Sequence, residues 1–164
     1  AGAVGLGVGS CLLKAGVRTS FLARRQTIAA LKNKGFQRIG IFGSASFAPD
    51  TFTAYDKPAD LPAEAFDYVL VCTKSSDSQT VCDQLFSNQS TLRTDGKIIL
   101  FQNGWGNAEI FLAKFSQEQI YNARVITGFI RSSLTQVEIT VHADAIHIGS
   151  VSYTHLTLPT KRIV

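Results

Sequence analysis

Phe66-Asp67-Tyr68-Val69-Leu70-Val71-Cys72 is an apolar run ended by Thr73-Lys74. Its character is that of a strand buried on both faces in a parallel sheet. A second such run, Lys97-Ile98-Ile99-Leu100-Phe101, follows an Asp95-Gly96 turn and stops at Gln102-Asn103-Gly104. Between the two, Ser76 to Phe86 carries Val81, Leu85 and Phe86 in a helical pattern, and Asn107 to Phe115 predicts another helix. Strands alternating with helices of about ten residues indicate an α/β domain with a mainly parallel sheet.

The flanking sequence extends this pattern. Gly2 to Ala15 reads as a turn running into a helix, with Val4, Val8, Cys11, Leu12 and Ala15 on one apolar face and Gly16 as its stop. Val17 to Ala23 is a strand, and Gln26 to Lys34 a helix with Ile28 and Leu31 inward and Gly35 after it. Arg38 to Phe42 and Ala45 to Phe47 form a short meander, and Asp50 to Glu64 reads as a loop flanked and punctuated by Pro49, Pro58 and Pro62. Arg124 to Thr127 starts a further strand. Gln136 to Val141 and Ala145 to Ile148 read as an antiparallel hairpin at the C-terminal edge, around Ala143-Asp144.

Residues 151–164 have no helical period and no evident partner, and resemble the translated adapter tails found at the ends of fragmentary sequences; they are expected to lie outside the fold. The alternative is an edge strand broken by Pro159. The domain is therefore bounded at 1–150.

With 45% hydrophobic and 17% charged residues the chain reads as a soluble globular protein. Lys161 and Arg162 supply two of its net +4 charges, which leaves no clustered basic surface for a nucleic acid. Cys11, Cys72 and Cys82 have no metal-ligand spacing and read as buried reduced thiols of a cytoplasmic protein. No basic segment precedes the apolar run before Cys11, and Lys14 closes that run, which argues against export and against a membrane span. The absence of Met, with Ala at position 1, predicts that the chain lacks its natural start.

Four short stretches carry chemistry. In a dinucleotide fold the strand-to-helix turn uses one glycine for the bend, a second to admit the pyrophosphate and a third for helix–strand packing. In Gly2-Ala3-Val4-Gly5 the glycines have the spacing of the second and third, and the helix start would offer free N–H groups to the pyrophosphate. Alone, such a start fits an ordinary loop as well. The next strand ends Leu22-Ala23-Arg24-Arg25, at the place where an NAD site carries Asp or Glu. A guanidinium there would hold a 2′-phosphate that a carboxylate repels, which favours NADP(H); the alternative is a solvated charge at a helix start. Lys74 and Asn103 each follow a buried strand, where open α/β sheets bind ligands. The alternatives are an exposed lysine beside a helix start and a turn asparagine.

Gly2-Ala3-Val4-Gly5, Leu22-Ala23-Arg24, Val69-Leu70-Val71-Cys72-Thr73-Lys74 and Phe101-Gln102-Asn103-Gly104 together resemble the ketopantoate reductase (2-dehydropantoate 2-reductase) family. The resemblance runs over nearly all of 1–150, to a close at His147-Ile148-Gly149. It implies a Rossmann-like domain and NADPH-dependent reduction of a 2-keto acid, 2-dehydropantoate to pantoate, on the path to coenzyme A. By matched position Arg24 binds the 2′-phosphate, with Arg25 a second candidate, and Lys74 and Asn103 line the nicotinamide and substrate end. No metal is implied. The family's first strand and first glycine are absent here, and Gly7 and Gly9 make the helix start unusually glycine-rich. The helical domain that supplies the family's catalytic lysine is absent too, so the chain is expected to be inactive alone. Other readings are a different NAD(P)-linked hydroxyacid or glycerol-phosphate dehydrogenase, a non-catalytic NADP(H) sensor, and a domain that binds no nucleotide.

Overall fold

The computed structural model describes residues 1–151 and, as backbone, 161–163. In chain order the elements are α1 (Ala3–Lys14), β1 (Ser20–Leu22), α2 (Arg25–Lys34), β2 (Phe36–Gly40), β3 (Ala45–Phe47), β4 (Thr53–Tyr55), β5 (Phe66–Val71), α3 (Ser78–Ser87), β6 (Leu92–Leu100), α4 (Asn107–Leu112), β7 (Ile120–Arg124), β8 (Thr127–Ser133), β9 (Gln136–His142), β10 (Ile146–Ser150) and β11 (Lys161–Ile163). They fall into two units, Ala1–Asp60 with Thr127–Ala143, and Leu61–Ile126 with the residues from Asp144 onward.

The first unit holds a four-stranded sheet of order β3-β2-β9-β8, in which β2 and β9 are parallel and the outer pairs antiparallel. A separate parallel pair joins β1 to β4, with Phe21 opposite Ala54. The core is aromatic. The Phe36 ring stacks on Phe47 at 4.8 Å and meets the edges of Phe21 and Phe52 at 5.4 and 5.6 Å. Leu6 from α1 and Ile28 and Leu31 from α2 close over these rings.

Helix α1 is enclosed differently from the stripe that its sequence predicts. Five successive residues, Leu6 to Ser10, are buried, whereas Val4, Cys11 and Leu12 are half-buried and Ala15 is exposed. A helix covered all round needs close neighbours on several sides, and the glycines admit them. A Cβ on Gly7 would lie 2.2 Å from the Phe129 ring, and one on Gly9 2.5 Å from the Phe21 ring.

The second unit holds a five-stranded sheet of order β11-β10-β7-β6-β5. Strands β5, β6 and β7 run parallel, with Val69, Leu70 and Val71 opposite Ile98, Ile99 and Leu100, and Ile98 opposite Ile120. Strand β10 is antiparallel to both β7 and β11. Val71, Ile98, Leu100 and Ile120 pack with Cys82 of α3, Phe111 of α4 and Phe115. Each large apolar side chain so buried contributes about 1.5–3 kcal/mol.

The α/β class and the parallel strand pairs are as the sequence predicts, and several local expectations are corrected. Gln136–Val141 and Ala145–Ile148 are strands but not a hairpin: β9 pairs with β8 and β2, and β10 with β7 and β11. The antiparallel hairpin is β8–β9, one strand earlier. Asp95-Gly96 lies inside β6, where the register against β5 shifts between Phe66 and Tyr68. The loop expected over Asp50–Glu64 contains β4, a strand because β1 pairs with it. Arg124 and Thr127 belong to different sheets. In the stretch 151–164, residues 161–163 pair with β10; 152–160 and 164 lie outside the described residues.

Candidate functional site

In the first unit, Gly2 caps α1 with an extended backbone, φ −105° and ψ −152°, and its carbonyl accepts from Leu6 N–H at 2.9 Å. The Ala1 nitrogen donates to the Leu22 carbonyl, which holds this turn beside the end of β1. The first N–H groups of a helix have no intrahelical acceptor. Among the described residues no side chain caps this helix, and no acid stands in its first turn to meet the N–H groups of Ala3, Val4 and Gly5. A Cβ on Gly2 would touch nothing within 4 Å, and any residue can adopt its φ. The fold does not need glycine at position 2. A ligand that approaches the backbone closely does.

Arg24 is the N-cap of α2 and Arg25 its first residue. Both are exposed, and neither makes an ion pair or a side-chain hydrogen bond among the described residues. The first turn of α2 contains no acid. Two guanidiniums at the positive end of a helix are unfavourable by about 0.3–1 kcal/mol each. An anion bound there removes that penalty. The core beneath, Phe21, Ile28 and Leu31, fixes the strand–helix junction that presents them.

In the second unit, β5 and β6 end side by side, and the Phe101 N–H donates to the Val71 carbonyl at 3.0 Å. Lys74 and Asn103 follow these ends, both exposed, with no hydrogen bond from either side chain among the described residues. The two segments are tied together. Ser75 Oγ donates to the Asn103 carbonyl at 2.6 Å, and Asn107 Nδ2 reaches the Asn103 and Gly104 carbonyls at 3.2 and 3.3 Å. Gln102 Nε2 donates toward the Lys74 carbonyl at 3.1 Å, Ser78 Oγ at 2.9 Å and Thr73 Oγ1 at 3.2 Å. Ser78 Oγ in turn donates to Asn107 Oδ1 at 2.7 Å. Gln102, Ser78 and Asn107 are buried, and Gln102 Oε1 has no hydrogen-bond partner among the described residues. An unpaired buried acceptor costs about 1–3 kcal/mol, a cost the fold accepts to keep the amide nitrogen toward Lys74.

The sequence pattern marks Lys74 and Asn103 but passes over Gln102, Ser78 and Asn107. A signal exists for Gln102: it continues the inward alternation of Ile98 and Leu100, and a polar residue on an inward position needs partners. Trp105 completes the same loop, fully exposed between Gly104 and Gly106, both at positive φ.

Other reactive groups have different employment. Burial pushes the Cys72 thiol up to about 12 and raises Cys82 as well, so both are neutral thiols. Cys82 is buried as expected; Cys11 is half-buried, and Cys72 is half-buried as a residue although its thiol group is enclosed. His147 lies 3.1 Å from Asp144, and His142 bonds Thr127 at 2.9 Å; His155 lies outside the described residues. Among the described residues no group of His, Cys, Asp and Glu could hold a metal ion, and no helix is long and apolar enough to cross a membrane.

The parallel strands, the flanking helices and the strand-end placement of the polar residues define a Rossmann-like α/β domain. The profile of the family "Ketopantoate reductase PanE/ApbA" matches residues 1–153, and the chain belongs to that family. It is 26% identical over 151 residues to 2-dehydropantoate 2-reductase of Aquifex aeolicus, covering 92% of this chain and 45% of that protein. The chain thus spans about half the length of the curated relatives it matches. A crystal structure of 2-dehydropantoate 2-reductase from Geobacter metallireducens superposes with a TM-score of 0.81 at 25% identity, over 96% of this chain and 49% of that one. The ternary structure of D-mandelate dehydrogenase with NADH and anilino(oxo)acetate shares the fold, with a TM-score of 0.78 at 15% identity over 93% of this chain and 47% of that one.

Proposed function

We propose that this chain is the cofactor-binding part of a cytoplasmic NADPH-dependent 2-keto acid reductase, acting on 2-dehydropantoate to give pantoate. The observation that carries the cofactor choice is the pair Arg24 and Arg25, exposed and unpaired among the described residues at a helix start that lacks any acid. In this reading Arg24, assisted by Arg25, holds the 2′-phosphate through charge-assisted hydrogen bonds. The α1 start, Gly2-Ala3-Val4-Gly5, receives the pyrophosphate on its N–H groups. Open space at the Gly2 Cβ and the uncapped first turn support that assignment. Lys74 and Asn103 orient the nicotinamide and substrate end, Lys74 as a donor and Asn103 as both donor and acceptor. When bound, NADPH supplies the hydride; these residues supply orientation.

The alkoxide that forms on the substrate needs a proton donor of matched pKa, a role we assign to neither His142 nor His147, whose ring nitrogens bond Thr127 and Asp144. Because the relatives are about twice as long, we expect the purified chain to bind NADPH without steady turnover of 2-dehydropantoate. Sustained NADPH oxidation by the chain would contradict this.

Arg24→Ala tests the cofactor assignment. One charge-assisted contact is worth about 1.5–3 kcal/mol, so NADPH affinity should fall by about one to two decades while NADH affinity barely moves. Equal losses for both cofactors would remove the 2′-phosphate assignment. A second reading, an NADH-linked hydroxyacid dehydrogenase, is favoured by the fold shared with D-mandelate dehydrogenase, whose structure holds NADH. It predicts NADH binding at least as tight as NADPH in the same titration.

A further inference from the structure

We propose that Gln102 is a positioning residue that fixes the Lys74 and Asn103 segments relative to each other, and thereby the nicotinamide end of the cofactor. The proposal rests on the cofactor reading above. Its ground is the directionality of one buried hydrogen-bond chain. The Lys74 carbonyl can only accept, so the Gln102 amide must present its nitrogen there, 3.1 Å away. The same nitrogen donates to Ser78 Oγ at 2.9 Å. Ser78 has a single hydroxyl hydrogen, and it goes to Asn107 Oδ1 at 2.7 Å. With its oxygen engaged, Asn107 turns its amide nitrogen to the Asn103 and Gly104 carbonyls.

Every donor direction in this chain follows from the one before it. The sequence begins at the Lys74 carbonyl and ends at the Asn103 carbonyl, and Ser75 Oγ closes the loop by donating to Asn103 as well. The backbone of Lys74 and Asn103 is thereby set mainly by the buried side chains of Gln102, Ser78 and Asn107. Removing the Gln102 amide frees the Lys74 carbonyl and lets the Ser78 hydroxyl rotate, which releases Asn107 in turn. The side chains of Lys74 and Asn103 remain but lose their fixed relation.

The test uses this chain and two probes: NADPH, and 2′,5′-ADP, which carries the adenosine and 2′-phosphate without nicotinamide. Gln102→Met keeps the length and removes both donors. It should weaken NADPH by about three- to tenfold and leave 2′,5′-ADP binding unchanged. The emission anisotropy of Trp105, the single tryptophan of the chain, should fall as the loop loosens. Ser75→Ala alters only an exposed hydroxyl and guards against misfolding of the buried variant; it should give the same split at smaller size. Unchanged NADPH affinity in both variants, or equal losses for the two probes, would overturn the proposal. A wild-type chain that binds neither probe sinks the cofactor reading itself. Binding of 2′,5′-ADP as tight as NADPH leaves the reading standing and removes the positioning role.

Discussion

In the first unit the candidate residues are Arg24 and Arg25, exposed at a helix start with no side-chain partner among the described residues. In the second they are Lys74 and Asn103, also exposed, but their backbone carbonyls end a buried polar network. The difference matches two kinds of ligand chemistry. A phosphate is a multivalent anion with several acceptor oxygens, and long flexible cations adapt to it on arrival. A ring that must face a carbonyl for hydride transfer tolerates little displacement, and positioning there has to precede binding. In the proposed reading the first unit provides charge, and the second provides geometry.

The largest effect that tests this division is on the frame beneath the arginines. Phe36 is buried against Phe21, Phe47 and Phe52 and supports the β1–α2 junction. Phe36→Ala should cost about 3–5 kcal/mol, read as a lowered urea midpoint by far-ultraviolet circular dichroism. A loss below about 1 kcal/mol would mean that this aromatic core does not seat the junction.

The glycines of α1 sharpen the comparison at intermediate size. A Cβ at Gly9 would press on the Phe21 ring, whereas one at Gly2 meets open space. Gly9→Ala should therefore destabilise by about 1–3 kcal/mol. Gly2→Ala should leave stability within about 0.5 kcal/mol yet, in the proposed site, weaken NADPH, because its Cβ would occupy the approach assigned to the pyrophosphate. Unaltered NADPH affinity in Gly2→Ala, measured by calorimetry, would take this turn out of the site.

These glycines also mark how far the sequence can be read. Gly2 and Gly5 were legible as a spaced pair because a turn motif is local. Gly7 and Gly9 stood out as surplus, since Phe129, the partner of Gly7, is remote in the chain. The same limit applies to strands. Helix α2 carries its own periodicity, and Ile28 and Leu31 are buried as it predicts. Strand β5, read as buried on both faces, instead exposes Asp67 and Tyr68, and α3 buries Ser78 and Cys82 while Phe86 is exposed. Strand β4 is three residues, Thr53-Ala54-Tyr55, and exists through its pairing with β1. The adjacency of β9 and β10 in sequence suggested a hairpin, but each finds its partners elsewhere. Lys74 and Asn103 could be picked out because strand ends are visible in sequence. Gln102 leaves one local trace, its inward position after Leu100, whereas Ser78 and Asn107 leave none, because hydrogen bonds between residues 24 to 29 positions apart are not local.

The smallest expected effect belongs to an ion pair outside both sites. Lys114 Nζ lies 2.6 Å from Asp83 Oδ1 and over the Phe86 ring, and Gln79 donates to the same carboxylate at 2.9 Å. The hydrogen bond from Lys114, followed by that from Gln79, holds the Asp83 carboxyl below its ordinary range. Its contribution to stability is thus complete above the unfolded pKa of about 4. As pH falls further, the unfolded chain takes up the proton first, and the contribution disappears as pH passes through the lower folded value. Asp83→Asn should reduce the urea midpoint slightly at pH 7, and wild type and variant should converge by about pH 2. Both partners are partly exposed, at 34% and 48% of their side-chain surface, so solvent screens the pair and the shift stays small. Because this pair joins α3 to the segment after α4 without touching Lys74 or Asn103, NADPH affinity at pH 7 should be the same in both proteins. A variant that loses NADPH affinity would mean that the second unit's geometry depends on its rim as well as on the buried network.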